Sequence, residues 1–156
     1  MENLVEYCEA PVPTNGDCLL ICVFIGLNNY YPGYIIYGKR VDSIKNCSNF
    51  INILKENLSS LSNIAILDEI QLKAIELGEV NARNEIIDSI NNRDIYGNKH
   101  TINYLVKSLK IKLQIITSTG INNIQDDSII NNNFPIVNVF YRPDANEHYN
   151  AFYKRY

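Results

Sequence analysis

The chain of 156 residues holds two histidines, His100 and His148, so a cysteine or serine nucleophile relying on an imidazole base must use one of them. His148 opens a short β-rich segment, His148-Tyr149-Asn150, and residues two apart on a strand face the same side. Asn150 can therefore sit beside His148. Its carboxamide oxygen can accept the Nδ1 proton of the imidazole and leave Nε2 facing a nucleophile. His100 stands among Asn98, Lys99 and Thr101 at the start of a helix, where a surface histidine is common and the helix dipole disfavours its charged form. The same spacing also suits two ordinary polar residues on an edge strand, so a matching nucleophile must be found.

Cys18 is one. It follows the turn residues Asn15-Gly16-Asp17 and opens the apolar run Cys18 to Leu27. At the start of a helix, unpaired backbone N–H groups converge on a sulfur and on a developing oxyanion, and Gly16 lets the backbone approach closely. A thiol of pKa about 8.5 is only slightly ionised at neutral pH, and lowering it by about three units needs roughly 4 kcal/mol. A helix terminus contributes about 0.3 to 2 kcal/mol. The remainder requires an imidazolium, and Asp17 works slightly against the thiolate. Cys8, Cys22 and Cys47 read as small core hydrophobes, and no Cys-x-x-Cys spacing suggests a metal or a disulfide framework.

These groups need elements to hold them. Pro11 to Asp17 reads as a turn, with Asp17 a good N-cap for a buried helix over Cys18 to Leu27. Asn28 to Gly38, with Tyr30, Tyr31, Tyr34 and Tyr37 around Pro32 and Gly33, reads as irregular or hairpin-like. From Asp42, the three- and four-residue spacing of Ile44, Cys47, Phe50, Ile51, Leu54 and Leu58 predicts an amphipathic helix. Further helices are predicted over Ile64 to Leu77, stopped by Gly78, over Ala82 to Ile90, and over Lys99 to Leu109. Strands are predicted at Ile111 to Ile115, Ile136 to Tyr141 and His148 to Tyr153. Helices first and strands last, with one helix buried between, implies an α+β domain of the three-layer α/β sandwich type.

Three segments carry a resemblance to the ovarian-tumour (OTU) family of cysteine proteases, which remove ubiquitin or ubiquitin-like modifiers. Asn15-Gly16-Asp17-Cys18-Leu19 is similar to the family's nucleophile motif, and His148-Tyr149-Asn150 to its histidine motif near the C-terminal end. Tyr96-Gly97, followed by Ile102 to Leu109 and Ile111 to Ile116, is similar to an intervening aromatic-Gly, helix, strand segment. Leu20 stands where the family carries an aromatic, and Asn15 where it carries Asp. The resemblance implies one OTU-like domain over 1–156, with a core at about 11–153 and helices around a central sheet. It implies Cys18 as nucleophile, His148 as base and later acid, Asn150 as orienter, and the backbone amides of Asn15, Gly16, Asp17 and Cys18 as the oxyanion hole. No cofactor or metal is implied, and the partner is ubiquitin or a ubiquitin-like protein. Gripping surfaces for it are sought in Tyr30 to Tyr37, in the helices from Ile64 to Ile90, and in Glu76, Glu79, Glu85 and Asp88. A degenerate ubiquitin-binding or host-interaction module is the alternative; a Cys-His hydrolase or acyltransferase of small amides is a third reading.

Composition narrows the remaining classes. A length of 156 residues suits one domain able to bury a core without staples. The formal charge of −3 offers no basic surface for nucleic acid, and no apolar run reaches the roughly 20 residues of a membrane span. No basic region precedes an apolar core at the N-terminus, so a cytoplasmic monomer is expected, in the host cytoplasm if the source is a virus or symbiont. Asn and Ile, each about 15% of the chain, point to an AT-rich genome such as that of a virus, endosymbiont or protozoan.

Overall fold

A computed structural model describes residues 7–10, 16–124, 133–142 and 148–154. The apolar run after Asp17 forms α1 (Cys18–Tyr30), which buries Leu19, Leu20, Cys22, Val23, Phe24 and Leu27. Apolar residues on all its sides require neighbours on all its sides. α1 packs on strands β6 (Ile136–Arg142) and β7 (His148–Lys154), and also on helix α2 (Cys47–Asn57). Gly26 permits the strand contact, because a Cβ there would lie 2.7 Å from Val137 Cγ1. Phe24 stacks on Phe50 of α2 with ring centroids 5.1 Å apart.

After α1 comes a hairpin, β2 (Ile35–Ile36) paired with β3 (Lys39–Arg40). Its two turn residues, Tyr37 and Gly38, both have positive φ, as a two-residue hairpin turn of the I′ kind requires. A short 3₁₀ turn at Val41–Ser43 precedes α2, so the expected helix begins later than Asp42, at Asn46, whose side chain accepts the Asn49 N–H. Ser60 caps α3 (Leu61–Glu76), and Gly78 follows at φ +82, the left-handed stop expected of it. α4 (Ala82–Asn91) and α5 (Lys99–Leu109) follow, α5 with a capping box between Asn98 and Thr101.

The chain then becomes β-rich as expected. β4 (Lys112–Thr117) lies parallel to β6 and antiparallel to β5 (Gly120–Ile124), and β7 is antiparallel to β6 and to β1 (Tyr7–Ala10). The order among the described residues is β1-β7-β6-β4-β5. β1 carries the sheet back beyond the expected core start at residue 11. β5 escaped sequence reading because Asn122 and Asn123 disfavour strands, yet an edge strand bonded on one side tolerates them. The architecture is α+β, with helices around a central mixed sheet.

The tyrosine-rich segment lies at the surface with its tyrosines half-buried. Tyr34 donates to the carbonyls of Leu109 and Lys110 at 2.6 and 2.8 Å, Tyr37 bonds to Ser108, and Tyr31 accepts the Ile136 N–H at 3.1 Å. These hydroxyls fasten the segment to the end of α5 and to β6.

Candidate active site

The site assembles where α1 begins and β7 begins. Pairing of β1 with β7 runs as far as Ala10 opposite Ala151, and further along β7 the Tyr149 N–H donates to Cys18 Sγ at 3.4 Å. Residues far apart in sequence thus meet at one sulfur. On either side of Tyr149, His148 Nε2 and Asn150 Oδ1 lie 2.6 Å apart. This corrects the expected ring orientation, in which Nδ1 bonded to Asn150. Residues two apart on a strand are about 6.6 Å apart along the chain, and the distal Nε2 spans that gap better than Nδ1 does. Nδ1 is buried and has no hydrogen-bond partner among the described residues.

Cys18 is 1% exposed and His148 4%. Burial pushes the Cys18 thiol above its ordinary range, and the backbone N–H groups of Tyr149, Leu19 and Cys18 pull it back down. The Asp17 carboxylate adds to the rise, as its position implies, and the balance leaves the thiol raised. Backbone donors alone do not make this sulfur a thiolate at neutral pH.

Gly16 is held by the loop between α4 and α5. Asn92 shapes that loop, its Oδ1 accepting the Asp94 N–H at 2.9 Å and its carbonyl the Ile95 N–H at 3.0 Å. The Gly16 N–H donates to the Arg93 carbonyl at 2.5 Å, and a Cβ on Gly16 would collide with the carbonyls of Arg93 and Ile95. That amide, expected among the oxyanion donors, is therefore already engaged. Asn15 lies outside the described residues. Asp17 precedes α1 with helical backbone angles, φ −84° and ψ −3°, and its side chain makes no capping bond, contrary to expectation. Its Oδ2 instead lies 3.9 Å from Arg93 Nε. Nothing in a single sequence marks Arg93 beyond its place in a polar, turn-forming stretch.

His100 is not the surface residue its neighbours suggest. It is buried, and its Nε2 lies 2.5 Å from Glu79 Oε2, while Lys99 bonds to the other oxygen of the same carboxylate. This ties the α3–α4 turn to the start of α5. His100, Glu79, Glu85, Gly97, Tyr141 and Tyr149 border a groove of about 410 Å³, and Tyr149 links it to Cys18. Glu85 accepts from Asn98 Nδ2 at 3.0 Å, so neither Glu79 nor Glu85 is an unattached surface carboxylate. Among the described residues, no three His, Cys, Asp or Glu side chains are grouped to hold a metal ion. No described helix is long and apolar enough to cross a membrane.

With this geometry in view, the fold is similar to that of the OTUD1 OTU domain. The TM-score is 0.56 at 12% identity, covering 95% of this chain and 86% of that one. The chain has the OTU fold. An OTU deubiquitinase from Wolbachia pipientis wMel, solved bound to ubiquitin, is similar at TM-score 0.54 and 11% identity, with 97% and 98% of the two chains covered. The viral OTU domain protease from Taggert virus is similar at TM-score 0.51 and 14% identity over 96% of this chain and 80% of that one. No protein-family model and no curated protein matches the sequence. The likeness is thus one of fold, at 11–14% identity.

Proposed function

We propose that this chain is an OTU-type cysteine isopeptidase acting on ubiquitin or a ubiquitin-like modifier as a single domain. The observation that carries the reading is the Tyr149 N–H donating to Cys18 Sγ while His148 and Asn150, its neighbours on β7, bond to one another. Nucleophile, base and orienter then occupy one junction between a helix start and a strand start. Cys18 gives its proton to His148, and the thiolate attacks the carbonyl carbon of the modifier's terminal glycine. Backbone N–H groups at the start of α1, that of Cys18 among them, receive the oxyanion, and Asn15 keeps its place in this reading. His148 passes the proton to the departing amine, leaving a thioester. It then takes a proton from water, whose oxygen displaces Cys18 and frees the modifier's carboxylate. Asn150 holds the imidazole through Nε2, and Nδ1 is the nitrogen that exchanges protons.

A ubiquitin probe with a C-terminal electrophile tests this. Wild-type chain forms a covalent adduct at Cys18 and Cys18→Ala does not; no adduct with any ubiquitin-like probe overturns the reading. The buried thiol, raised in pKa, favours a second reading, a binding module without catalysis. Its signature is modifier binding unchanged in Cys18→Ala and His148→Ala, with no adduct in the wild type.

A further inference from the structure

We infer that Arg93 is a positioning residue that holds the Asp17 carboxylate away from the backbone N–H groups serving Cys18. The inference rests on Cys18 being the nucleophile. Aspartate just before a helix is among the residues that best cap it, and an anion there is drawn to the positive end of the dipole. The default fate of Asp17 is therefore to accept the N–H groups of the first turn of α1. In this chain those amides are wanted by the sulfur, and the Leu19 and Cys18 N–H groups are among those that steady it.

Two contacts from one residue oppose capping. The Arg93 carbonyl accepts the Gly16 N–H at 2.5 Å, which holds the backbone ahead of Asp17, and Asp17 keeps helical angles instead of the extended ones a cap adopts. The Arg93 guanidinium stands 3.9 Å from Asp17 Oδ2, with the Asp17 side chain 11% exposed and the Arg93 side chain 72% exposed. The carboxylate is turned toward a cleft of about 310 Å³ bordered by Asp17, Arg93 and Lys55. Among the described residues, the charged group that bears on the sulfur is Asp17; Arg93 and Lys55 border the cleft with it, and His148 stands beside Tyr149 on β7. Of the two cations in the cleft, Arg93 is the one within ion-pair distance of Asp17 among the described residues. At 3.9 Å and with its cation exposed, such a pair adds little to stability, so its effect is read on the sulfur and not on folding.

The test is the pH dependence of iodoacetamide alkylation at Cys18, followed by peptide mass spectrometry. Arg93→Ala keeps the carbonyl and removes the guanidinium. It is expected to shift the alkylation midpoint upward and slow the reaction about 3- to 10-fold at pH 7, with the gap closing in alkali. The melting temperature is expected to stay within about 2 °C of wild type. Arg93→Lys is expected to restore the wild-type midpoint. In an Asp17→Ala background, adding Arg93→Ala is expected to change nothing further. A wild-type midpoint in Arg93→Ala, or a shift that persists without Asp17, overturns the inference. Failure of the isopeptidase reading appears separately, as a wild-type chain that no modifier probe labels, because alkylation needs no substrate.

Discussion

The Tyr149 amide hydrogen is directed at Cys18 Sγ across 3.4 Å, joining two residues 131 positions apart. Because the donor is main chain, the contact does not depend on the Tyr149 side chain, and truncation at the sulfur end removes it. Cys18→Ala is expected to abolish labelling by an electrophilic ubiquitin probe. Its melting temperature is expected to fall by only about 2 to 4 °C, the scale of about 1 kcal/mol in a domain of this size. Labelling that persists in Cys18→Ala would assign the nucleophile elsewhere.

The raised Cys18 thiol makes a directional statement about pH. A neighbouring imidazolium favours the thiolate and opposes the effect of burial. In His148→Ala the alkylation midpoint of Cys18 is expected to lie above both that of the wild type and the ordinary thiol value of about 8.5, with the rate at pH 7 reduced about tenfold or more. Equal midpoints in the two proteins would show that the ring does not reach the sulfur.

Asn150 holds the ring without exchanging a proton, so its loss is milder than that of the base. Asn150→Ala is expected to lower isopeptidase turnover about 10- to 100-fold, within the range of about 10² to 10⁴ ascribed to general acid–base catalysis and below the loss in His148→Ala. Turnover in both variants with a cleavable modifier substrate decides it; an Asn150→Ala loss as large as that of His148→Ala contradicts the division of roles.

Gly16 sits against carbonyl oxygens that cannot move aside like a flexible side chain. Gly16→Ala is expected to destabilise the fold by about 1 to 3 kcal/mol, an overpacking cost, and to displace Cys18 with it. Chemical denaturation read together with probe labelling checks both halves. A stable variant with wild-type labelling would mean that the Arg93–Ile95 backbone yields.

Glu79 is held below the ordinary carboxylate range, first by its hydrogen bond from Lys99 and then by that from His100. A carboxylate with a lowered folded-state pKa contributes stability above its unfolded value and loses it as pH falls through the folded one. The melting-temperature gap between wild type and Glu79→Gln is expected at pH 7 and should close in acid, below about pH 4. A gap independent of pH would assign Glu79 a packing role instead.

Much of the local organisation was legible in the chain. α5 begins and ends at the expected Lys99 and Leu109, and α3 stops ahead of Gly78, because local periodicity and left-handed stops act over a few residues. What failed was governed by contacts across the fold. Asn98, Lys99 and Thr101 gave no sign that His100 would be covered by the α3–α4 turn. Nor did the spacing of the tyrosines show that the Tyr34 hydroxyl would reach the carbonyls of Leu109 and Lys110.

The residue order alone set the kinds of chemistry open to this protein. One cysteine stands after a glycine turn and ahead of an apolar helix, and one His-x-Asn pair opens a strand, because helix starts and strand alternation are short-range properties. Which ring nitrogen bonds to Asn150, which amide is taken by Arg93, and that the Asp17 carboxylate faces the Arg93 guanidinium without capping α1 were decided by tertiary packing. Each depends on where a distant segment passes, and hydrogen bonds and ion pairs are selected by a few ångströms of proximity that local sequence does not encode.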